Sequence, residues 1–172
     1  DRGLPYASRS TPYRATRPMS QPAGPPVPEQ WLNCVALIEH PLGSGSGFAV
    51  GEKLVVTNAH VVEGVFPDEI KVHFDTEGSV PRAISRVLYF DRSRDLCLAE
   101  VETGAKGLPV RGNYTLHAGD RVTLMGNPST RGKMLMRNAV NTGGLTSVVR
   151  IEGQDFYQIS TSVNPGWSGG PV

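Results

Sequence analysis

Asn164-Pro165-Gly166-Trp167-Ser168-Gly169-Gly170-Pro171 sets one serine in a turn that carries three glycines. Glycine admits positive φ and close approach of a substrate backbone, and neighbouring amide N–H groups in such a turn can stabilise a developing oxyanion. The turn is therefore read as the seat of an acyl-transfer nucleophile. A serine hydroxyl is weakly nucleophilic near neutral pH, so Ser168 requires a base, and the base requires a group to orient it. Four histidines are available. His60 fits best, because the apolar run Val55-Val56 leads through Thr57-Asn58-Ala59 to His60-Val61-Val62 and fixes the ring at a strand end. His40 precedes a proline, His73 alternates along a β-type run, and His117 stands near Gly119 in a turn. For the orienting carboxylate, Asp95 opens the apolar run Leu96-Cys97-Leu98-Ala99, where it can be buried against an imidazole N–H. Asp91, in the polar turn just before it, is expected to be solvated.

From Trp31 onward the chain consists of short β-rich runs broken by Gly, Pro, Asn and Asp, with no sustained 3.6-residue apolar period. Strands are expected over 32–38, 46–50, 53–57, 69–74, 82–90, 96–101, 121–126, 134–141, 145–151 and 155–160. One short helical turn is expected from Ala59 to Glu63, ending at Gly64. The weakly patterned stretch from Thr103 to Ala118 is a candidate crossover between two β-subdomains. The pattern is all-β, either a sandwich or a pair of barrels. Residues 1–30 differ: they hold seven of the 14 prolines and almost no aliphatic side chains. Such a segment cannot offset its ordering entropy by burial, so it is expected to be an extended, disordered tether.

Seventeen basic and sixteen acidic residues leave a net charge of +1, which argues against nucleic acid as a partner. Arg131, Lys133 and Arg137 are expected to form a solvated loop and strand edge. No apolar stretch approaches the ~20 residues that span a bilayer, so no membrane insertion is expected within the chain. The first residue is Asp1, and an upstream segment is expected to precede it. Cys34 and Cys97 are too few for a disulfide framework and lack zinc-site spacing. They are expected to be buried free thiols, with a single bridge as the alternative.

The order His60, Asp95, Ser168 is that of chymotrypsin, and it differs from the orders in subtilisin and the α/β-hydrolases. Five stretches in sequence order, Gly45-Ser46-Gly47-Phe48-Ala49-Val50, Thr57-Asn58-Ala59-His60-Val61-Val62, Asp95-Leu96-Cys97-Leu98, Met125-Gly126-Asn127-Pro128 and the serine turn, resemble the catalytic domain of HtrA/DegP-type trypsin-like serine proteases. The resemblance covers about residues 31–172. It implies a chymotrypsin/trypsin-like double β-barrel, with the first barrel at 31–107, the second at 108–172, and a cleft between them. It also implies a serine endopeptidase acting on polypeptides through an acyl-enzyme. His60, Asp95 and Ser168 would form the triad, the backbone N–H groups of Gly166 and Ser168 the oxyanion hole, and no metal or organic cofactor would be needed. A periplasmic or cell-envelope location, with a membrane anchor upstream, follows from the same likeness. The alternative from a different class is a non-catalytic trypsin-fold module that binds peptides or partners.

Two departures from that family stand out. Trp167 occupies a position that is usually Asn in HtrA-like proteins and Asp in trypsins, so activation by a buried ion pair with a freed N-terminus is not expected. The indole is expected to pack on the barrel surface or to influence the oxyanion loop. Ser160 stands where HtrA sequences commonly carry Asp, which raises the question of how the strand before the serine is anchored. The chain also ends at Val172, before the strands that complete the second barrel in the family. An incomplete second barrel with exposed edges is therefore expected, and residues 1–172 alone are expected to be inactive.

Overall fold

The computed structural model describes residues 26–74, 80–112, 114–130 and 134–172. Most of the expected tether, as well as Arg131 and Lys133 of the basic cluster, lies outside these residues. A single helical turn, α1 (Glu29–Leu32), leads into β1 (Val35–His40), β2 (Gly43–Gly51) and β3 (Leu54–Thr57). The turn α2 (Ala59–Val62) follows, then a short 3-10 turn at Pro67–Glu69. Next come β4 (Lys71–Phe74), β5 (Arg82–Ala83), β6 (Arg86–Asp91) and β7 (Leu96–Glu100). These seven strands form one antiparallel sheet in the order β5-β4-β1-β2-β3-β7-β6.

That order forces the sheet to curl. β5 and β6 are its opposite edges, yet only Ile84 and Ser85 separate them in sequence. Six inter-strand spacings of a flat sheet would put the edges about 29 Å apart. Three backbone steps reach about 11 Å at most. The sheet therefore rolls on itself, and Ser85 N–H donates to the Glu100 carbonyl at 2.9 Å where the chain passes from one edge to the other. Inside the roll, Ala36, Ile38, Ala49, Val55, Val72, Phe74, Cys97 and Ala99 pack with Val61, Val62, Ile70 and Ile84. β1 is buried on both faces. Val35 and Leu37 point away from that cluster and are also covered, and β1 lies against a strand of the second sheet.

Residues 101–120 hold no regular element among those described, in keeping with the expected crossover. Beyond them, β8 (Arg121–Gly126) is followed by the two-residue pair β9 (Ser129–Thr130) and β10 (Met134–Leu135), then β11 (Ala139–Ile151) and β12 (Gln154–Ile159). The second sheet has the order β12-β11-β8. Strands expected at 134–141 and 145–151 are partitioned differently. Gly143 and Gly144 do not break the chain but lie within the 13-residue β11, which pairs with β8 up to Gly144 and with β12 from Leu145, with a bulge between Leu145 and Ser147. Gly143 pairs with Val122 of β8 and leaves room for the Thr161 side chain, from which a Cβ there would sit 3.0 Å. Val148, Val149, Ile151, Phe156 and Tyr157 on the β11–β12 ribbon are exposed. The architecture is all-β: a rolled sheet beside a second, incomplete one.

Both cysteines are free and buried, Cys34 at 4% exposure and Cys97 at 0%. Burial raises both thiols above their ordinary ionisation range. In the native protein neither thiol is expected to react readily with an aromatic disulfide reagent. Two should become reactive once guanidinium unfolds the chain, and prompt modification of the native protein would contradict this packing.

Candidate active site

α2 is a single turn launched from β3, with Asn58 in extended conformation at its N-cap. Ala59, Val61 and Val62 are buried, which leaves His60 on the outer side with its side chain 55% exposed. Across from it, Asp95 occupies the turn between β6 and β7. Its Oδ2 lies 2.7 Å from His60 Nδ1, and its Oδ1 accepts the His60 backbone N–H at 2.9 Å. Its own carbonyl accepts from Asn58 Nδ2 at 2.7 Å. One residue thus grips both the ring and the backbone of the histidine turn. The carboxylate was expected to be buried, but it is 44% exposed, because Asp95 precedes β7 and does not lie within it. Orientation here comes from paired hydrogen bonds more than from exclusion of water.

The Ser168 loop is held by its backbone between the two sheets. Ser168 carbonyl accepts from Ser46 N–H on β2 at 2.7 Å, and Pro171 carbonyl accepts from Met125 N–H on β8 at 3.0 Å. The Ser46 side chain, fully buried, donates to the Gly166 carbonyl at 2.6 Å and accepts the Asn127 N–H at 2.8 Å. Glycine is required at 169, where φ is +85° and a Cβ would strike the Ser46 carbonyl and the Thr57 hydroxyl. The same built Cβ would lie 3.1 Å from the backbone nitrogen of Asn58, so the loop runs directly against the start of α2. Asn58 and Ser168 also line one open cleft of about 230 Å³, together with Val163 and Trp167. Among the described residues no hydrogen bond joins the Ser168 hydroxyl to His60.

The direction of the loop's peptides follows from where its carbonyls go. The Pro165 carbonyl accepts from Ser129 N–H at 2.8 Å, and the Trp167 carbonyl accepts from Gly170 N–H at 2.9 Å. In a trans peptide the N–H points opposite to the carbonyl, so the Gly166 and Ser168 N–H groups face away from those partners. Neither has a hydrogen-bond partner among the described residues. The Trp167 indole is half-buried against Gly126, where a Cβ would come within 3.0 Å of Cε3. Ser160 resolves the anchoring question: its N–H donates to the Gly144 carbonyl at 2.9 Å and its hydroxyl accepts the Gly144 N–H at 3.0 Å. Among the described residues no three His, Cys, Asp or Glu side chains converge to hold a metal ion.

Residues 45–172 match the family described as trypsin-like peptidase domain. The chain belongs to the trypsin-like peptidase family. It is 32% identical over 132 residues to a probable periplasmic serine endoprotease, DegP-like, of Chlamydia muridarum, with 74% of this chain covered. It is also 29% identical over 134 residues, 76% of this chain, to the anti-sigma-I factor RsgI9 of Acetivibrio thermocellus. The chain spans 18% of the length of RsgI9 and 25% of the Chlamydia protein. Solved structures that share the fold include a serine endoprotease of Yersinia pestis and Rv3671c of Mycobacterium tuberculosis. The Yersinia protein has a TM-score of 0.66 at 25% identity, over 83% of this chain and 50% of that one. Rv3671c, in an inactive form, has a TM-score of 0.66 at 24% identity, over 83% and 70%.

Three residues that shape the site of this peptidase domain are not evident from residue chemistry alone: Ser46, Asn58 and Asn127. A hydroxyl between two glycines in the apolar strand Gly45-Ser46-Gly47-Phe48 is the available signal, since glycines on both sides invite close backbone approach. Ser46→Ala would leave the Gly166 carbonyl and the Asn127 N–H without this partner, a loss of about 1–3 kcal/mol for each buried group left unpaired. A urea melt of the variant should show a clear drop in midpoint with unchanged slope, and an unshifted midpoint would contradict the bridging role.

Proposed function

We propose that the chain carries the catalytic centre of a serine endopeptidase in which Ser168 attacks a peptide carbonyl. His60 takes the hydroxyl proton and later delivers it to the leaving amine. Asp95 holds the Nδ1–H tautomer, leaving Nε2 free as the base, and stabilises the imidazolium that forms. The open N–H groups of Gly166 and Ser168 receive the negative charge of the tetrahedral intermediate; one such donor is typically worth about 3 kcal/mol in the transition state. Water then hydrolyses the acyl-enzyme with His60 as base.

The double contact of Asp95 with the ring and the backbone of His60, at 2.7 and 2.9 Å, is the observation that carries this reading. Among the described residues no hydrogen bond joins Ser168 to His60, and such contacts commonly tighten only when substrate occupies the cleft. Polypeptide substrates and work in the periplasm or cell envelope are proposed by likeness to relatives named as periplasmic endoproteases.

The test is labelling by a fluorophosphonate probe in the complete gene product. Wild type should label, Ser168→Ala should not, and Asp95→Asn, which favours the wrong tautomer, should slow labelling by about 10⁴-fold. A folded wild type that takes no label would overturn the reading.

A further inference from the structure

The turn that presents Asp95 is gathered onto a single side chain, that of Asp91, which on sequence is expected to be solvated. Asp91, the last residue of β6, accepts the Ser93 N–H at 2.8 Å, the Ser93 hydroxyl at 2.6 Å and the Arg94 N–H at 3.1 Å, all on Oδ1. Its Oδ2 accepts the Tyr89 hydroxyl at 2.8 Å and lies 3.8 Å from Arg94 Nε. The Asp91 side chain is only 21% exposed. Asp91 also pairs with Leu96 across the sheet, so the four residues between them form a closed loop. Asp95 N–H completes it by donating to the Arg92 carbonyl at 3.3 Å.

The loop delivers Asp95 with φ +51°, a left-handed conformation that a residue bearing a Cβ adopts at a cost unless its surroundings impose it. In this conformation one residue sends its carboxylate to His60 and its carbonyl to Asn58. We propose that Asp91 is a positioning residue for the active site: by fastening residues 93 and 94 to its carboxylate, it imposes the left-handed Asp95 that meets His60. This rests on the reading of His60 and Asp95 as the base and its orienting group.

The Ser93 hydroxyl foremost, then the Tyr89 hydroxyl and the Arg94 N–H, hold the Asp91 carboxyl down at about 2. Because its folded value is depressed, the clamp is fully charged above the ordinary carboxylate range and is lost only as pH falls through about 2.

The experiment reads the His60 Nδ1–H proton by NMR, a low-field signature of its bond to Asp95, beside the rate of fluorophosphonate labelling. In Asp91→Ala the fold should persist by circular dichroism while the low-field proton is lost and labelling slows by about 100-fold, the size expected of a misplaced catalytic group. Asp91→Asn, whose Oδ1 still accepts the three turn donors, should restore most of both signals. If Asp91→Ala fails to fold, Ser93→Ala removes one of those donors and should weaken the low-field proton. Retention of the proton and the labelling rate in Asp91→Ala, or in its substitute Ser93→Ala, would overturn the proposal. A wild type that shows the proton but never labels would overturn the peptidase reading and leave the positioning geometry intact.

Discussion

The Ser46 hydroxyl is sealed from water, so both its proton and its lone pairs must be satisfied within the protein. It meets that requirement with the Gly166 carbonyl on one side and the Asn127 N–H on the other. The first group belongs to the serine loop and the second follows β8 of the second sheet, while Ser46 itself lies in the rolled sheet. Thr57, also buried, donates to the Ser46 carbonyl at 2.7 Å and ties β3 into the same junction. Two sheets and a loop therefore meet around one residue. Its neighbour Gly45 keeps the approach open, since a Cβ there would come within 2.7 Å of the Val61 side chain and 3.2 Å of the Ser168 carbonyl.

The histidine side of the site is built on a different principle. His60 and Asp95 stand at a rim where water has access, and charge–charge attraction there is weakened by the high dielectric. Geometry must come from hydrogen-bond directions, and Asp95 supplies three: two through its carboxylate and one through its carbonyl. A substrate lying over the pair would displace water and strengthen the same contacts without moving them. The serine side is fixed in advance by burial, whereas the histidine side is fixed by a turn.

Much of this was legible in the residues. Alternation and glycine punctuation marked most strands, because a rolled antiparallel sheet buries one side-chain face, and the runs at 53–57 and 96–101 correspond closely to β3 and β7. The His60–Asp95 contact could be anticipated from an apolar strand ending in a histidine turn and another beginning after an aspartate. The path of β11 could not: two consecutive glycines read as a break, yet they lie within a continuous strand, where the missing side chain of Gly143 allows close packing against Thr161. The exposure of Asp95 was also hidden, since whether a residue opens a strand or precedes it is settled by the turn before it. Asp91 carried a signal of its own, an acidic residue followed two places later by Ser93, the pattern of a side chain that folds the backbone over itself.

The contacts made by Ser46 also bear on the order of folding. Its bond to Gly166 joins residues 120 positions apart, and its bond to Asn127 joins residues 81 apart. Closing such loops costs chain entropy that only a largely assembled structure can offset. The rolled sheet can gather through neighbouring hairpins such as β1–β2 and β2–β3, while the serine loop must await both sheets. A nascent chain would therefore bring His60 and Asp95 together before it holds a competent Ser168 loop, so the proposed hydrolytic power arrives last, after both sheets have formed.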